Sequence, residues 1–439
     1  MADLPGRNLF WTAAVVTLAA SAPALRAAEG PTQPASTWTV GTPIVTYWAG
    51  PALSDAAARQ MAEGGWNVAW CSQNELDVAR RHGLRAQLQD PLLSPASLDK
   101  ASQRAKLDAL IDLVRAHPAM YSYFITDEPG AADFPALGRL VSYLRRRDPA
   151  HLAYINLFPT YANNQQFGIQ GETIPAYAEH LRQYLAVVKP ALVSYDHYQF
   201  STEGDRDQYF LNLAMVRRAS QQAGVPFLHI VQACTWTASM RVPTGPEMRY
   251  LVYTTLAYGA QGISYYVYCC AGHTGGIALA DGTPTPLYHA LKPLNREFVA
   301  IASQLGPLRS LGAYHAGLTP WGAQPLGDDA PFRLNPPVEP IAYKRPERVK
   351  GMLLGVFGPA HKDGQAHKDG QPAKPTHVLV VNLDYETQAA INLVGPENLE
   401  TFDAAAGTWS AAGSNRVPLR IVGGGGVLLR VQPAAKKQP

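Results

Sequence analysis

The sequence predicts an α/β protein that consists of a (β/α)8 barrel, the TIM-barrel fold, followed by a small antiparallel β-sandwich domain. Eight β-rich runs alternate with amphipathic helical segments between residues 43 and 305, and their spacing suits strand–helix units. Eight such units in about 260 residues match the size of a TIM barrel. Beyond about residue 310, helical periodicity ends and short β-rich runs separated by Gly, Pro and Asn predominate.

Composition narrows the class of protein before any motif is considered. The 439 residues are 47% hydrophobic and 16% charged, which is typical of a folded globular chain. A chain of this length is too long for one compact core. The net charge is only +3 and there is no long run of Lys or Arg. We therefore expect two domains and no nucleic-acid partner.

Residues 1–28 have the order of a secretory signal peptide. Arg7 precedes an apolar run over 9–20, and the small residues Ser21-Ala22-Pro23-Ala24 follow. The alternative, an N-terminal membrane anchor, needs about 20 apolar residues, and this run is shorter. The sequence thus predicts a periplasmic or secreted protein with no membrane association after cleavage, and 29–42 form an exposed leader.

The barrel is predicted over residues 43–308. Its eight strands are expected at Pro43–Trp48, Asn67–Ser72, Leu84–Asp90, Met120–Asp127, His151–Phe158, Ala191–Tyr198, Pro226–Thr235 and Gly262–Cys269. Helices are expected between them, among them Ser97–Ala116, Asp205–Ala223 and Leu287–Leu305, where apolar residues recur every three or four positions. A doubly wound open sheet competes with this fold, but the first strand–helix turn has no Gly-rich phosphate loop.

The β-sandwich domain is predicted over residues 309–435. Strands are expected at Met352–Phe357, His377–Leu383, Ala389–Val394, Val417–Val422 and Val427–Val431. The pentapeptide HKDGQ occurs twice between the first two, at 361 and 367. Such a polar duplication is typical of a flexible loop. No metal site is predicted there, because neither Cys nor carboxylate ligands stand at metal spacing.

The four cysteines, Cys71, Cys234, Cys269 and Cys270, all belong to the predicted barrel. Oxidation would allow three complete pairings, and Cys234 with Cys269 or Cys270 suits neighbouring strands. A zinc site would need paired CxxC spacing, and a catalytic thiol would need a positioned His. Burial as small apolar side chains is the favoured interpretation.

Functional side chains of a barrel gather at the carboxyl ends of its strands. Here these ends are rich in aromatic and carboxylate side chains and poor in cations, which suits a neutral polyhydroxy ligand. Packing at the barrel mouth is the alternative for any single aromatic. The predicted ligand-binding residues are Trp48, Trp70, Asp127, Asn156, Tyr198, Gln232, Trp236 and Tyr266. No metal and no cofactor are predicted.

The fourth strand carries the strongest motif, in which MYSYFIT leads directly into Asp127-Glu128-Pro129. Pro129 predicts an extended backbone at Glu128, which would keep that carboxylate at the strand end. His117-Pro118 precede the strand. This pattern resembles the fourth strand of clan A glycoside hydrolases. It is more closely similar to bacterial barrel proteins related to the family 42 β-galactosidases, over roughly residues 43–305. The resemblance implies that Glu128 is the general acid/base.

The chain departs from the clan pattern at two positions. Asp127 stands where the clan has Asn, and Gln232 ends the seventh strand where the clan places its nucleophilic Glu. Glutamine cannot form a glycosyl ester. Glu247 is a poor substitute, because Thr244 and Glu247 have the spacing of a helix capping box with Pro246 in the first turn.

Asp196, at the end of the sixth strand, is the predicted second catalytic carboxylate. A structural aspartate bonded to backbone N–H groups is the alternative for Asp196. Asp90 begins an Asp-Pro turn, and Glu203 lies in a polar loop, so both are weaker candidates. Cleavage of an acetal needs two carboxyl groups, and their separation decides between retention and inversion. The missing nucleophile favours a water-activating Asp196 and inversion.

The sequence therefore predicts a secreted glycoside hydrolase that cleaves O-glycosidic bonds of a poly- or oligosaccharide. A carbohydrate-binding pseudoenzyme that has lost the seventh-strand nucleophile is the main alternative. Another barrel chemistry, such as that of a lyase or isomerase, lacks support from a metal triad or phosphate loop. The sequence leaves the sugar, the linkage and the oligomeric state open.

Overall fold

The computed structural model describes residues 43–342, 348–359 and 373–433, all of which belong to one compact unit. The predicted signal peptide, the leader and the HKDGQ repeat lie outside these residues. Within them, no helix is long and apolar enough to cross a membrane.

Eight parallel strands form a nearly closed barrel, as predicted. They pair in the order β1-β8-β7-β6-β5-β4-β3-β2. Between β1 and β2 the Asn67 backbone N–H donates to the Val45 carbonyl at 3.0 Å, and Thr46 Oγ1 donates to the Val68 carbonyl at 3.0 Å. The strands are β1 Ile44–Trp48, β2 Val68–Cys71, β3 Arg85–Leu88, β4 Met120–Asp127, β5 Leu152–Leu157, β6 Val193–His197, β7 Phe227–Gln232 and β8 Gly262–Tyr266.

Helices surround the barrel and cover its outer face. The barrel strands are largely buried, because one face fills the barrel and the other packs on helices. The helices are α1 Asp55–Glu63, α2 Leu76–Arg81, α3 Ala101–Val114, α4 Phe134–Arg147, α5 Asn164–Phe167, α6 Thr173–Val187, α7 Tyr209–Ala223, α8 Gly245–Ala257 and α9 Pro286–Leu305.

A β-rich region follows α9. Its strands are β9 Leu308–Gly317, β10 Gln324–Pro325, β11 Arg333–Asn335, β12 Gly351–Pro359, β13 His377–Asn382, β14 Ala389–Val394, β15 Leu399–Asp403, β16 Thr408–Ala411, β17 Arg416–Ile421 and β18 Gly426–Val431. They form a seven-stranded sheet in the order β10-β9-β12-β13-β18-β15-β16 and a three-stranded sheet β11-β14-β17. All pairs are antiparallel except β9 with β10. The predicted sandwich stays a prediction.

The seven-stranded sheet also faces the barrel. Along β12, Leu354 and Val356 join a cluster shared with the three-stranded sheet, whereas Leu353 and Phe357 join the barrel's outer core. Gly355 lies against α8, where a Cβ atom would come within 2.2 Å of the Ala257 carbonyl oxygen. A side chain at position 355 would therefore push the sheet away from the barrel.

Candidate active site

An irregularity in β4 sets the direction of the motif carboxylates. Phe124 pairs with Tyr154 and Thr126 with Ile155, so one residue of β4 is extra and Asp127 comes opposite Asn156. Such a bulge re-aims the side chains that follow it. Asp127 is exposed and Glu128 half-buried at this strand end.

The predicted extended backbone at Glu128 is wrong. Its φ is +45°, in the left-handed region, and its backbone N–H donates to the Asn156 carbonyl at 2.9 Å. Pro129 disfavours the right-handed helical region but does not require an extended chain. Left-handed backbone at a residue with a side chain costs free energy, and such residues cluster at functional sites.

Asn156 links two of the three carboxyl groups at this mouth. Its Nδ2 atom donates to Asp127 Oδ1 and to Asp196 Oδ1, each at 3.1 Å. The Glu128 side chain hydrogen-bonds to Asp196 as well. The structure thus brings together the three carboxyl groups that the sequence singled out, Asp127, Glu128 and Asp196.

Asp196 is only 2% exposed. Burial, together with the charge of nearby Asp127, raises the pKa of Asp196 to about 7, while hydrogen bonds from Asn156, Tyr198 and Glu128 oppose the rise. A hydrogen bond between two carboxyl groups requires a proton on one of them. Asp196 therefore keeps a proton into the neutral range, next to the Glu128 side chain.

Aromatic side chains flank the carboxyl groups in two clusters. The first joins Trp48, Trp70 and Phe124, in which the ring centroid of Trp70 lies 4.8 Å from the centroids of the other two rings. The second joins Tyr198, Trp236 and Tyr266, whose ring centroids are all 5.0 Å apart. The structure thus groups all five predicted aromatics; Tyr266 is buried and the other four are partly exposed.

Gln232 occupies a different environment from the one predicted for a ligand-binding amide. It is fully buried, and its Oε1 accepts from the Phe200 backbone N–H at 2.8 Å. Its Nε2 donates to the carbonyls of Arg241 at 2.7 Å and Phe200 at 3.1 Å. The side chain ties the loops after β6 and β7 together, which leaves its polar atoms engaged with the backbone.

Glu247 forms the capping box that its sequence predicted. The Thr244 backbone N–H donates to Glu247 Oε2 at 2.7 Å, and Arg241 holds both carboxylate oxygens, at 2.9 and 2.5 Å. Burial alone would raise the pKa of Glu247, but the hydrogen bonds from Arg241 and Thr244 hold it below its usual value. Glu247 is an ionised structural residue.

The weaker candidates lie away from this cluster of hydrogen bonds. Asp90 caps a turn by accepting from the Leu92 backbone N–H at 2.8 Å, and Glu203 is exposed at a hairpin tip. All four cysteines are free; Cys71 and Cys234 are buried, and Cys269 and Cys270 are partly exposed. Among the described residues, no group of three or more His, Cys, Asp or Glu side chains is placed to hold a metal.

Comparison with solved structures finds glycoside hydrolases among the structural neighbours. A catalytic mutant of a GH42 β-galactosidase from G. stearothermophilus matches with a TM-score of 0.54 and 10% identity, over 91% of this chain and 99% of that one. A GH27 β-L-arabinopyranosidase from Geobacillus stearothermophilus gives 0.45 and 10%, over 92% and 98%. The β-galactosidase of the psychrophilic Marinomonas ef1 gives 0.44 and 10% over 63% of this chain, and the match spans 62% of that enzyme, less than two thirds of its length.

No family model and no curated protein matches the chain. The resemblance at 10% identity establishes the fold, and the site residues have to be argued from their own geometry.

Proposed function

We propose that the protein is a secreted glycoside hydrolase that acts on O-glycosidic bonds of a poly- or oligosaccharide, with Glu128 as the general acid/base. The observation that carries the proposal is the cluster of Asp127, Glu128 and Asp196 between two groups of aromatic rings at the barrel mouth. Aromatic faces bind the C–H faces of a sugar ring, and carboxyl groups supply the proton transfers of acetal cleavage.

Glu128 suits the role of proton donor to the leaving oxygen. It is half-buried at the mouth, and its partner Asp196 keeps a proton close to it. A general acid works best when its proton is available near the operating pH. The hydrogen bond between the two carboxyl groups supports this arrangement.

The contact between Glu128 and Asp196 argues against inversion with Asp196 as the base. Inversion places a water molecule between carboxyl groups that lie about 6.5–9.5 Å apart. Asp196 is nearly inaccessible, so it suits a proton-holding partner of Glu128 better than a base that activates water. Asp127 is exposed at the same strand end and is therefore the better second carboxylate toward the sugar.

A screen of the mature protein on a panel of glycans and aryl glycosides tests the proposal. Release of reducing sugar or of the aryl group is the expected result, and NMR of the first anomer released then distinguishes retention from inversion. Binding of glycans without any turnover would instead support a carbohydrate-binding pseudoenzyme. Absence of both binding and turnover would refute the proposal.

A further inference from the structure

A chain of buried hydrogen bonds runs beneath the carboxyl groups. Ser194 Oγ donates to Asn156 Oδ1 at 3.0 Å, and Tyr154 OH lies 2.7 Å from Ser194 Oγ. Because the single Ser194 hydroxyl proton goes to Asn156, Tyr154 is the donor to Ser194. All three side chains are at most 3% exposed, so water does not compete for these groups.

This chain fixes which way the Asn156 amide points. Ser194 donates to the amide oxygen, so the NH2 group faces the carboxyl groups. Its two hydrogens then meet two acceptors, Asp127 Oδ1 and Asp196 Oδ1. A flipped amide could still donate to Ser194 Oγ, but it would set its oxygen against both carboxyl oxygens and would lose the two bonds to them.

We propose that Asn156 is a positioning residue, locked by Ser194 and Tyr154, that holds Asp127 and Asp196 together next to Glu128. The sequence predicted that Asn156 binds substrate directly, but its buried amide is already bonded at both ends. As a positioning residue it acts through the carboxyl groups. This inference rests on the proposed function for its catalytic meaning, whereas the coupling itself is measurable without turnover.

The ionisable groups around Asp196 belong to several elements. They are Asp127 and Glu128 from the end of β4, Tyr154 on β5, Tyr161 in the loop after β5, Tyr177 on α6, and Tyr195 and Tyr198 on either side of Asp196. Burial raises the pKa of all five tyrosines, so they stay neutral where Asp196 titrates. Burial, the neighbouring carboxyl groups and the hydrogen bonds from Asn156 and Tyr198 thus set its titration.

NMR titration of the full-length protein labelled with 13C at Asp carboxyl carbons tests the coupling, with the Asp196 signal assigned from Asp196→Asn. Ser194→Ala frees the Asn156 amide, so Asp196 loses a donor that favours its charged form. We expect its midpoint to rise by about one pH unit. Asn156→Ala should raise the Asp196 midpoint by at least as much, and Tyr154→Phe should raise it by less.

Ser264→Ala is the matched control, because Ser264 Oγ is buried on β8 without a hydrogen-bond partner among the described residues. It should leave the Asp196 midpoint unchanged. An unchanged midpoint in a folded Ser194→Ala variant, or an equal shift in Ser264→Ala, would overturn the inference. Should Ser194→Ala not fold, Tyr154→Phe decides by the same criterion. A wild type without turnover would refute the proposed function and leave this test intact.

Discussion

A buried side-chain amide lies near carboxyl groups at the carboxyl end of β5 and again at the carboxyl end of β7, but the two amides have different hydrogen-bond partners. Asn156 on β5 donates to two carboxyl groups, those of the exposed Asp127 and the buried Asp196. Gln232 on β7 hydrogen-bonds to backbone groups, and the negative charge of the nearby Glu247 is balanced by an ion pair with Arg241. The difference teaches that the residue type at a strand end does not define its role, whereas its hydrogen-bond partners do.

The same two regions also differ in the direction in which the pKa of their buried carboxyl group is shifted. Burial raises the pKa of Asp196, which lies beside other carboxyl groups, whereas an arginine and a capped helix keep the pKa of Glu247 low. Shifted proton affinity in a cleft is typical of groups that handle protons, and a satisfied ion pair is typical of structure. Under the proposed function, the catalytic groups belong to β4–β6, whereas the ion pair and helix cap at β7–α8 stabilise the fold.

The largest expected effect tests the β4 side of this comparison. Glu128→Gln should lower turnover of glycosides with poor leaving groups by about 10²- to 10⁴-fold, because the leaving oxygen loses its proton donor. Aryl glycosides with acidic leaving groups should lose much less. Steady-state kinetics on both substrate types measures the contrast.

Glu203→Gln serves as the control for that variant, since Glu203 is an exposed carboxylate on a hairpin of the same barrel. Its kinetics should match those of the wild type. Equal losses in the two variants, or none in Glu128→Gln, would remove Glu128 from the mechanism.

The β7 side is tested by restoring a glutamate. In Gln232→Glu, carboxylate oxygens would face the carbonyls of Phe200 and Arg241, which now accept from Nε2. We expect a loss of about 3 kcal/mol in the free energy of unfolding and no gain in turnover. Urea denaturation measures the loss, and Gln232→Met separates the lost bonds from the added charge. A faster enzyme would break the comparison, because it would show a competent nucleophile position at β7.

The barrel could be predicted from sequence because each strand is marked by a local pattern. All eight predicted strands form, and α9 begins one residue before the predicted Leu287. The sequence also located Asp127, Glu128 and Asp196 at strand ends that meet on one face of the barrel. β9, β10, β11, β15 and β16 were missed, and their short or glycine-containing runs give a weak periodic signal.

The remaining features of the site depend on contacts between distant residues. The bulge that faces Asp127 toward Asn156 depends on pairing between β4 and β5, and the left-handed Glu128 depends on the bond to the Asn156 carbonyl. Phe124 was missed because the bulge disrupts the alternation that would place it inside the barrel. Ser194 and Tyr154 had no signal of their own, since a hydroxyl on a buried strand gains a role only from its neighbour.

A smaller expected effect is on how the free energy of unfolding depends on pH. The folded protein keeps the Asp196 proton up to about pH 7, whereas an unfolded Asp loses it near pH 3.9. Between these values the folded state binds more protons, so the contribution of Asp196 to stability falls as pH rises. Asp196→Asn lacks this dependence and should gain relative to wild type by up to about 1.4 kcal/mol per pH unit from pH 5 to 7. Denaturation at pH 5, 6 and 7 measures the difference, and a gap independent of pH would contradict the raised pKa.

The smallest effect concerns the aromatic clusters and sharpens the comparison. Trp236 follows the structural Gln232, yet it is partly exposed beside Tyr198 and Tyr266. Trp236→Ala should weaken oligosaccharide binding by roughly 5- to 10-fold, which is the loss of about 1 kcal/mol expected for one stacked ring. Calorimetric titration in a Glu128→Gln background measures binding without turnover.

Trp70→Ala tests the opposite cluster in the same way, and Trp321→Ala is the control because Trp321 is 49% exposed in the segment after β9. Equal losses at Trp70 and Trp236 would mean that the sugar chain lies across the carboxyl groups and contacts both clusters. Weaker binding in Trp70→Ala alone would mean that the β7 side stabilises the fold and does not bind the sugar. Losses at Trp321 as large as those at the mouth would contradict the assignment of either cluster as the binding surface. Because Trp236 belongs to the β7 loop, a loss there would show that a region fixed for stability still contributes to recognition.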